Sequence, residues 1–267
     1  MSMNKREFLA GTTFLGMAGL VGAGPGRAAE PSGARTGSVF NVREFGAKGD
    51  GQAADSEAIQ KALDAAGAVS GTTYFPAGRY LCHDLKVHPH TTVLAEPQWG
   101  YRGDGGAMLL LDSEEADCVL NITGAFGVHL HGLFLQGRRE AKKPIHGIFL
   151  NNPEKYSPQE DAIVIDDCKV ERFSGHGVHL LRIWLFIIRH SIMQANKGCG
   201  VQITGWDGFV TDNQFSGNGS HGFACESVGA TVMFTANRVE WNQGYGLYLY
   251  AGDAWNVTGN CFDRNWG

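Results

Sequence analysis

The chain has 267 residues and a formal net charge of −5, with 43% hydrophobic and 18% charged residues. That balance suits one large folded domain, excludes a disordered polymer and offers no basic surface for nucleic acid. Six cysteines form no Cys-x-x-Cys pair, so no metal site is read from them, and 38 glycines announce many tight turns.

Met1 to Ala29 reads as an export signal. Lys5-Arg6 precede an apolar run from Phe8 to Val21, and Arg27-Ala28-Ala29 supplies small residues for cleavage. The stretch Asn4-Lys5-Arg6-Glu7-Phe8-Leu9 resembles a twin-arginine signal, with Lys5 in place of the first arginine. The apolar run is too short and too glycine-rich for a stable membrane span. The expected location is therefore the periplasm or the exterior of a bacterium. Residues 30–39 read as a linker and 40–267 as the folded domain.

The domain opens with Phe40-Asn41-Val42-Arg43-Glu44-Phe45-Gly46-Ala47-Lys48-Gly49-Asp50-Gly51. A helix follows, capped by Asp55 or Ser56, with Ala58, Ile59, Ala62, Leu63 and Ala66 on one face. Thr73 to Leu81 reads as strand, Pro-Ala-Gly turn, strand. The series NVREFGAKGDG, DSEAIQKAL and YFPAGRYL, from Phe40 to Leu81, resembles the first segment of the pectate-lyase-like superfamily, which includes rhamnogalacturonase- and epimerase-like proteins. Ala54-Asp55 stands where that family usually has two aspartates. The resemblance implies a right-handed parallel β-helix whose first coil is covered by a capping helix. It does not choose among hydrolases, lyases, epimerases and tailspikes, all of which use the fold.

In the middle part, Gly127 to Leu135 alternates, with Leu130, Leu133 and Leu135 inward and His129 and His131 outward. Interruptions at 136–144 and 151–160 are expected to form loops on which binding groups can sit.

From Asp161 onward the chain repeats about every 23 residues. Glycine–apolar pairs recur at Gly177-Val178, Gly200-Val201, Gly222-Phe223 and Gly246-Leu247. Three further columns run Cys168, His190, Asn213, Asn237, Asn260; Val170, Ile192, Phe215, Val239, Phe262; and Ile165, Ile187, Val210, Phe234, Val257. Alternation after each glycine (Val178/Leu180, Val201/Ile203, Phe223/Cys225, Leu247/Leu249) identifies strands, and a period of this length identifies a solenoid. The polar column is expected to be an asparagine ladder in a bend, with His190 as one of its hydrogen-bonding members. The last coil begins at Trp255 and stops in mid-repeat at Gly267, so the expectation is a truncated chain or an end covered by a partner, which leaves a homo-oligomer open.

Stacked coils place equivalent outward side chains about 4.8 Å apart. Glu240 and Asp263 are equivalent by repeat, Glu171 shares their column, Arg238 and Arg264 flank them, and Trp241 and Trp266 are near in sequence. Carboxylates, guanidinium groups and indoles together suit a sugar cleft. Trp184 and Trp206, with Asp207 beside the second, and outward Tyr248 extend it as stacking surface. The candidate catalytic set is Asp207, Glu240, Asp263 and Arg264, and the candidate substrate-binding set is Trp184, Trp206, Arg238, Trp241 and Tyr248. Asp166-Asp167-Cys168 and Gly175-His176-Gly177 resemble two motifs of polygalacturonase-type hydrolases in order, although Asp167 and His176 stand only 9 residues apart. Asp167, Arg189 and Asp212 read as a structural column of alternating charge.

The reading is an exported protein acting on a polysaccharide or oligosaccharide. Glycoside hydrolysis by paired carboxylates leads, without cofactor. The alternatives are a polysaccharide lyase with Arg238 or Arg264 as base, for which Ca2+ would neutralise a uronate, and a glycan-binding or structural solenoid without catalysis.

Overall fold

The computed structural model describes residues 38–267 except 98, 101, 104 and 153–158. The export signal and most of the insertion at 151–160 lie outside the described residues. The rest winds as a parallel β-helix. Every strand pair is parallel, and each strand pairs with its counterpart one coil away.

Each coil has three faces. The first carries Cys118–Asn121, His146–Asn151 and the leading halves of Val178–Arg189, Val201–Thr211 and Phe223–Thr235. The second carries His129–His131, Ile163–Asp166 and the trailing halves of the same long strands. The long strands bend through the corner between these faces, at left-handed residues such as Arg182, Leu185 and Asp207, and so tie both faces into one sheet. The third face is a separate sheet of short strands that includes Lys169–Glu171, Ile192–Gln194, Gln214–Ser216, Arg238–Glu240 and Cys261–Asp263. The inward side chains of all three faces form one apolar core.

The helix spans Ser56–Gly67 and buries Ile59, Ala62 and Leu63 in that core, with Ala66 buried on the same face. Asp55 precedes it but makes no side-chain cap; its carboxylate accepts the Lys48 and Gly49 amides instead. Leu130, Leu133 and Leu135 are buried, as the alternation requires.

The repeat glycines have a steric cause. A Cβ on Gly177 would lie 2.7 Å from the Gly200 carbonyl oxygen, one on Gly200 2.6 Å from that of Gly222, and one on Gly222 2.7 Å from that of Gly246. Coils approach so closely there that no larger residue fits without displacing backbone.

Register corrects three of the expected columns by one residue in a single coil. Ile165 pairs with Ile188, not Ile187, and Val170 with Met193, not Ile192. In the polar column it is Ser191 whose Oγ accepts the Cys168 amide and whose own amide reaches Asn213 Oδ1. His190 stands outside the ladder in the left-handed region, half exposed. The charged column shifts with it: Arg189 pairs with Asp166 at 2.8 Å, while Asp167, His190 and Asp212 occupy the same left-handed corner position on successive coils.

A second ladder, Asn196, Asn218, Asn242 and Asn265, runs at the other end of the third face. In both ladders a left-handed residue precedes the ladder residue, as in His190-Ser191, Asp212-Asn213, Ala195-Asn196 and Trp241-Asn242. The amide oxygen of one coil takes the backbone N–H of the previous coil, and its nitrogen donates to a carbonyl inside the bend. These bonds pair backbone amides and carbonyls inside the bends.

Candidate functional site: the imidazole-lined first face

Outward positions on the first face run Asn121, Phe149, His179, Gln202, Ala224 and Tyr248, each in register with the next. Along their margin stand the residues that precede the turn glycines: His146, His176, Cys199, His221 and Tyr245. The rings group into two platforms. His146 stacks on His176 at 5.2 Å and on Phe149 at 5.5 Å, with His179 leaning against both imidazoles at 4.5 and 4.8 Å. Two coils further on, His221 stacks on Tyr248 at 4.6 Å and on Tyr245 at 5.6 Å.

The coil-to-coil spacing fixes the protonation pattern of these rings. His146 Nδ1 accepts the backbone N–H of His176 at 3.0 Å, His176 Nδ1 accepts that of Cys199 at 2.9 Å, and His221 Nδ1 accepts that of Tyr245 at 2.9 Å. A neutral imidazole has one lone pair, and here a backbone amide occupies it, so the proton sits on Nε2. His146 Nε2–H then donates to His179 Nδ1 at 3.2 Å, which leaves the His179 proton on its own Nε2. Burial, with a smaller contribution from the neighbouring imidazoles, lowers the pKa of His146 to about 4 and of His176 to about 3; burial alone lowers that of His179 to about 4. At neutral pH all three are uncharged N–H donors.

The same bonds argue against a metal centre. The three side chains offer nitrogens within 4.8 Å of one another, a spacing that suits a transition metal. Ligation requires an unprotonated nitrogen, and the lone pairs of His146 and His176 are already committed to the coil-to-coil amides.

The residues expected from the sequence divide among three places. Tyr248 lies on the first face, stacked as described. Trp184 and Trp206 are register partners near the corner between the first and second faces, and Trp184 Nε1 donates to Asp207 Oδ2 at 3.0 Å; Trp206 is buried rather than offered as a platform. Glu240 and Asp263 are adjacent on the third face, as repeat equivalence requires, with Glu171 further along the column. Glu240, however, is buried, with Oε1 accepting from Gln214 Nε2 at 3.0 Å and Oε2 from Arg238 Nε at 2.9 Å. Asp263 is more exposed and lies 3.5 Å from Arg264, which stacks over the Trp241 ring at 4.4 Å. No column joins Asp207 to Glu240 and Asp263. His176 is on the margin of the first face and Asp166-Asp167 at the end of the second, so these do not form one constellation.

Glu240 therefore reads as a structural acceptor. Glu240→Ala is expected to lower unfolding free energy by about 1–3 kcal/mol, because Gln214 and Arg238 lose their acceptor, with no change in glycan binding; urea denaturation and a binding titration check the two halves.

Comparisons with known proteins agree with the architecture. Residues 142–267 match the family described as right handed beta helix region, and residues 39–95 match the family described as rhamnogalacturonase A/epimerase, pectate lyase-like. Among curated relatives, two mannuronan C5-epimerases of Azotobacter vinelandii, AlgE2 and AlgE5, are 29% and 30% identical, each match covering 80% of this chain and 23% of the relative. The chain thus spans about a quarter of the length of these curated relatives. Among solved structures, the A-module of the Azotobacter vinelandii mannuronan C-5 epimerase AlgE4 superposes with a TM-score of 0.59 at 19% identity, covering 84% of this chain and 77% of that one. A family 28 exopolygalacturonase of Yersinia enterocolitica superposes at 0.55 with 14% identity, covering 84% and 55%. These structural likenesses speak to the fold.

Proposed function

The chain belongs to the right-handed parallel β-helix proteins of the pectate-lyase-like superfamily, and from that premise we propose that it binds and modifies an acidic, uronate-bearing polysaccharide laid along the first face. The observation that carries this reading is the set of imidazoles whose Nδ1 atoms are held by backbone amides. The His146 N–H is used by His179, so the donors presented outward are the Nε2–H groups of His176 and His179, with no counter-charge to displace, and a sugar carboxylate is an acceptor that can take both. Phe149 and Tyr248 offer ring faces on either side of the polar Gln202. The epimerase relatives, which by name act on mannuronan, favour the same substrate class.

Hydrogen bonds to a uronate carboxylate acidify the C–H beside it, the step that β-elimination and C5 epimerisation share. Hydrolysis needs two carboxyl groups flanking the bond, and the outward column from Asn121 to Tyr248 contains none, so hydrolysis ranks behind. Ca2+ takes several oxygen ligands, chiefly carboxylates and carbonyls. The imidazoles and amides of this face do not fit it, and no step is assigned to it. With the export-like N-terminus, the polymer would be met outside the cytoplasm.

The test is a panel of polymannuronate, polygalacturonate and a neutral glucan, with and without Ca2+. Binding is read by affinity electrophoresis, and products by ultraviolet absorbance, reducing ends and proton NMR of uronate composition. Binding to the uronate polymers alone, weakened at least tenfold by the double substitution His176→Ala and His179→Ala in a folded protein, is the expected result. Equal retention of the neutral glucan, or unchanged binding by the double variant, rejects it. New reducing ends without ultraviolet absorbance would restore hydrolysis.

A further inference from the structure

A cleft of about 370 Å3 lies at the bend between the second and third faces, lined by Trp99, His131, Asp166, Asp167, His190 and Asp212. It is built by the fold. Asp167, His190 and Asp212 occupy the same left-handed corner position on three successive coils. Asp166 and His131 are register partners on the adjoining strands. Trp99 arrives from a distant loop, and its Nε1–H donates to the His190 carbonyl oxygen at 2.9 Å, which pins a largely exposed indole at the edge of the cleft.

The chemistry inside differs from that of the first face. Asp166 is enclosed by cations and donors: Arg189 at 2.8 Å, His190 Nδ1 at 3.2 Å and His131 Nδ1 at 3.6 Å. Its pKa falls, the Arg189 and His190 hydrogen bonds overcoming the opposing effect of burial. His190 Nε2 reaches Asp212 at 3.3 Å, so one imidazole bridges two carboxylates. Asp167 shares the cleft without a comparable partner, and burial raises its pKa. Three carboxylates thus share the cleft with one guanidinium, Arg189, which Asp166 already engages, and with the imidazoles of His131 and His190. A uronate would be repelled. A ligand that brings donors and positive charge is matched, by the carboxylates through charge-assisted hydrogen bonds and by the indole through its ring face.

We propose that this cleft is a second saccharide site, selective for a sugar residue bearing a protonated amine, with Trp99 as the stacking wall and Asp167 and Asp212 as the ammonium acceptors. The site is independent of the uronate reading of the first face.

The full chain is titrated with a glucosamine tetramer, its fully N-acetylated counterpart, a cello-oligomer and Ca2+ alone, with tryptophan fluorescence and calorimetry as readouts. The glucosamine oligomer is expected to bind at least tenfold more tightly than the acetylated and neutral oligomers, and more weakly as salt rises. Trp99→Ala and Asp212→Asn should each reduce that binding about tenfold. The Asp212 side chain is 68% exposed, so its variant tests the charge without disturbing the core. His176→Ala with His179→Ala should leave the affinity unchanged. Equal affinity for the acetylated oligomer, indifference to Asp212→Asn, loss of binding in the histidine double variant, or the same response to Ca2+ alone would each overturn the proposal.

Discussion

Asn218→Ala is expected to lower the unfolding free energy by about 3–5 kcal/mol, enough to consume much of the stability of an ordinary domain. Asn218 is fully buried in the second ladder. Its Oδ1 accepts the Asn196 backbone N–H at 3.2 Å and the Asn196 side-chain amide at 3.0 Å. Its Nδ2 donates to the Met193 carbonyl at 3.1 Å and to Asn242 Oδ1 at 2.9 Å. Alanine removes all four bonds and leaves a buried N–H and carbonyl that cannot reach water. Each such orphan costs about 1–3 kcal/mol, and the lost volume adds a small cavity. Asn218→Asp separates the two halves of the side chain, since it keeps an acceptor, loses the donor and adds a buried charge; it should be at least as damaging. Gln243→Ala, on the exposed side of the same bend, should shift stability by less than about 0.5 kcal/mol. Equilibrium urea denaturation of the three variants measures the differences. An Asn218→Ala loss no larger than that of Gln243→Ala would mean that the ladder contributes no net stability.

The glycine column was legible because its cause is steric and admits no substitute: a Cβ at Gly200 would meet the next coil's backbone. The one-residue slip in the neighbouring columns has an equally physical origin. Coil length varies by a residue, and at the slipped coil both neighbours are apolar, Ile187 beside Ile188 and Ile192 beside Met193, so hydrophobicity could not arbitrate. What decides is which side chain can accept the Cys168 amide within the bend. Ser191 Oγ does so at 3.0 Å, while the bulkier His190 is turned out toward Asp166 and Asp212. The second ladder was present in the sequence, five residues after each asparagine of the first, as Asn213 and Asn218 or Asn237 and Asn242 illustrate.

The first-face site carried a weaker written signal, the His-Gly pairs at His146, His176 and His221. Their significance depends on the amide of the following coil, whose position relative to each ring no linear pattern encodes. Glu240 illustrates the converse. Its outward column position was legible, but the Gln214 and Arg238 side chains that cover and engage it come from the same short strands. Whether they extend to solvent or fold over the carboxylate is decided by packing between coils.

Acidification from pH 6.5 to about 4 is expected to destabilise the fold by on the order of a few kcal/mol through the imidazole cluster alone. The sign follows from the depressed native values, about 4 for His146 and His179 and about 3 for His176, against an ordinary 6.5. Below pH 6.5 the unfolded chain takes up protons that the folded chain refuses, so stability falls with falling pH until the native rings also titrate. Paired carboxylates such as Asp166, whose pKa is lowered chiefly by its Arg189 and His190 hydrogen bonds against the opposing effect of burial, add their own acid loss only near and below pH 4. The histidines of the cluster are therefore the main contributors expected from pH 5 to 6.5. There the urea midpoint should fall steadily in the native protein, and replacing His146 and His179 by Gln should flatten the slope by up to about two protons, whatever the variant does to absolute stability. The same interval discriminates between two modes of glycan recognition. Neutral N–H donors predict uronate affinity that is level from pH 8 to about 5.5, because neither the rings nor the sugar carboxylates change charge there. Recognition by imidazolium would instead strengthen as pH drops through 6.5. A rising affinity across that range, measured at constant ionic strength, would mean that the amide-locked tautomers do not govern binding on this face.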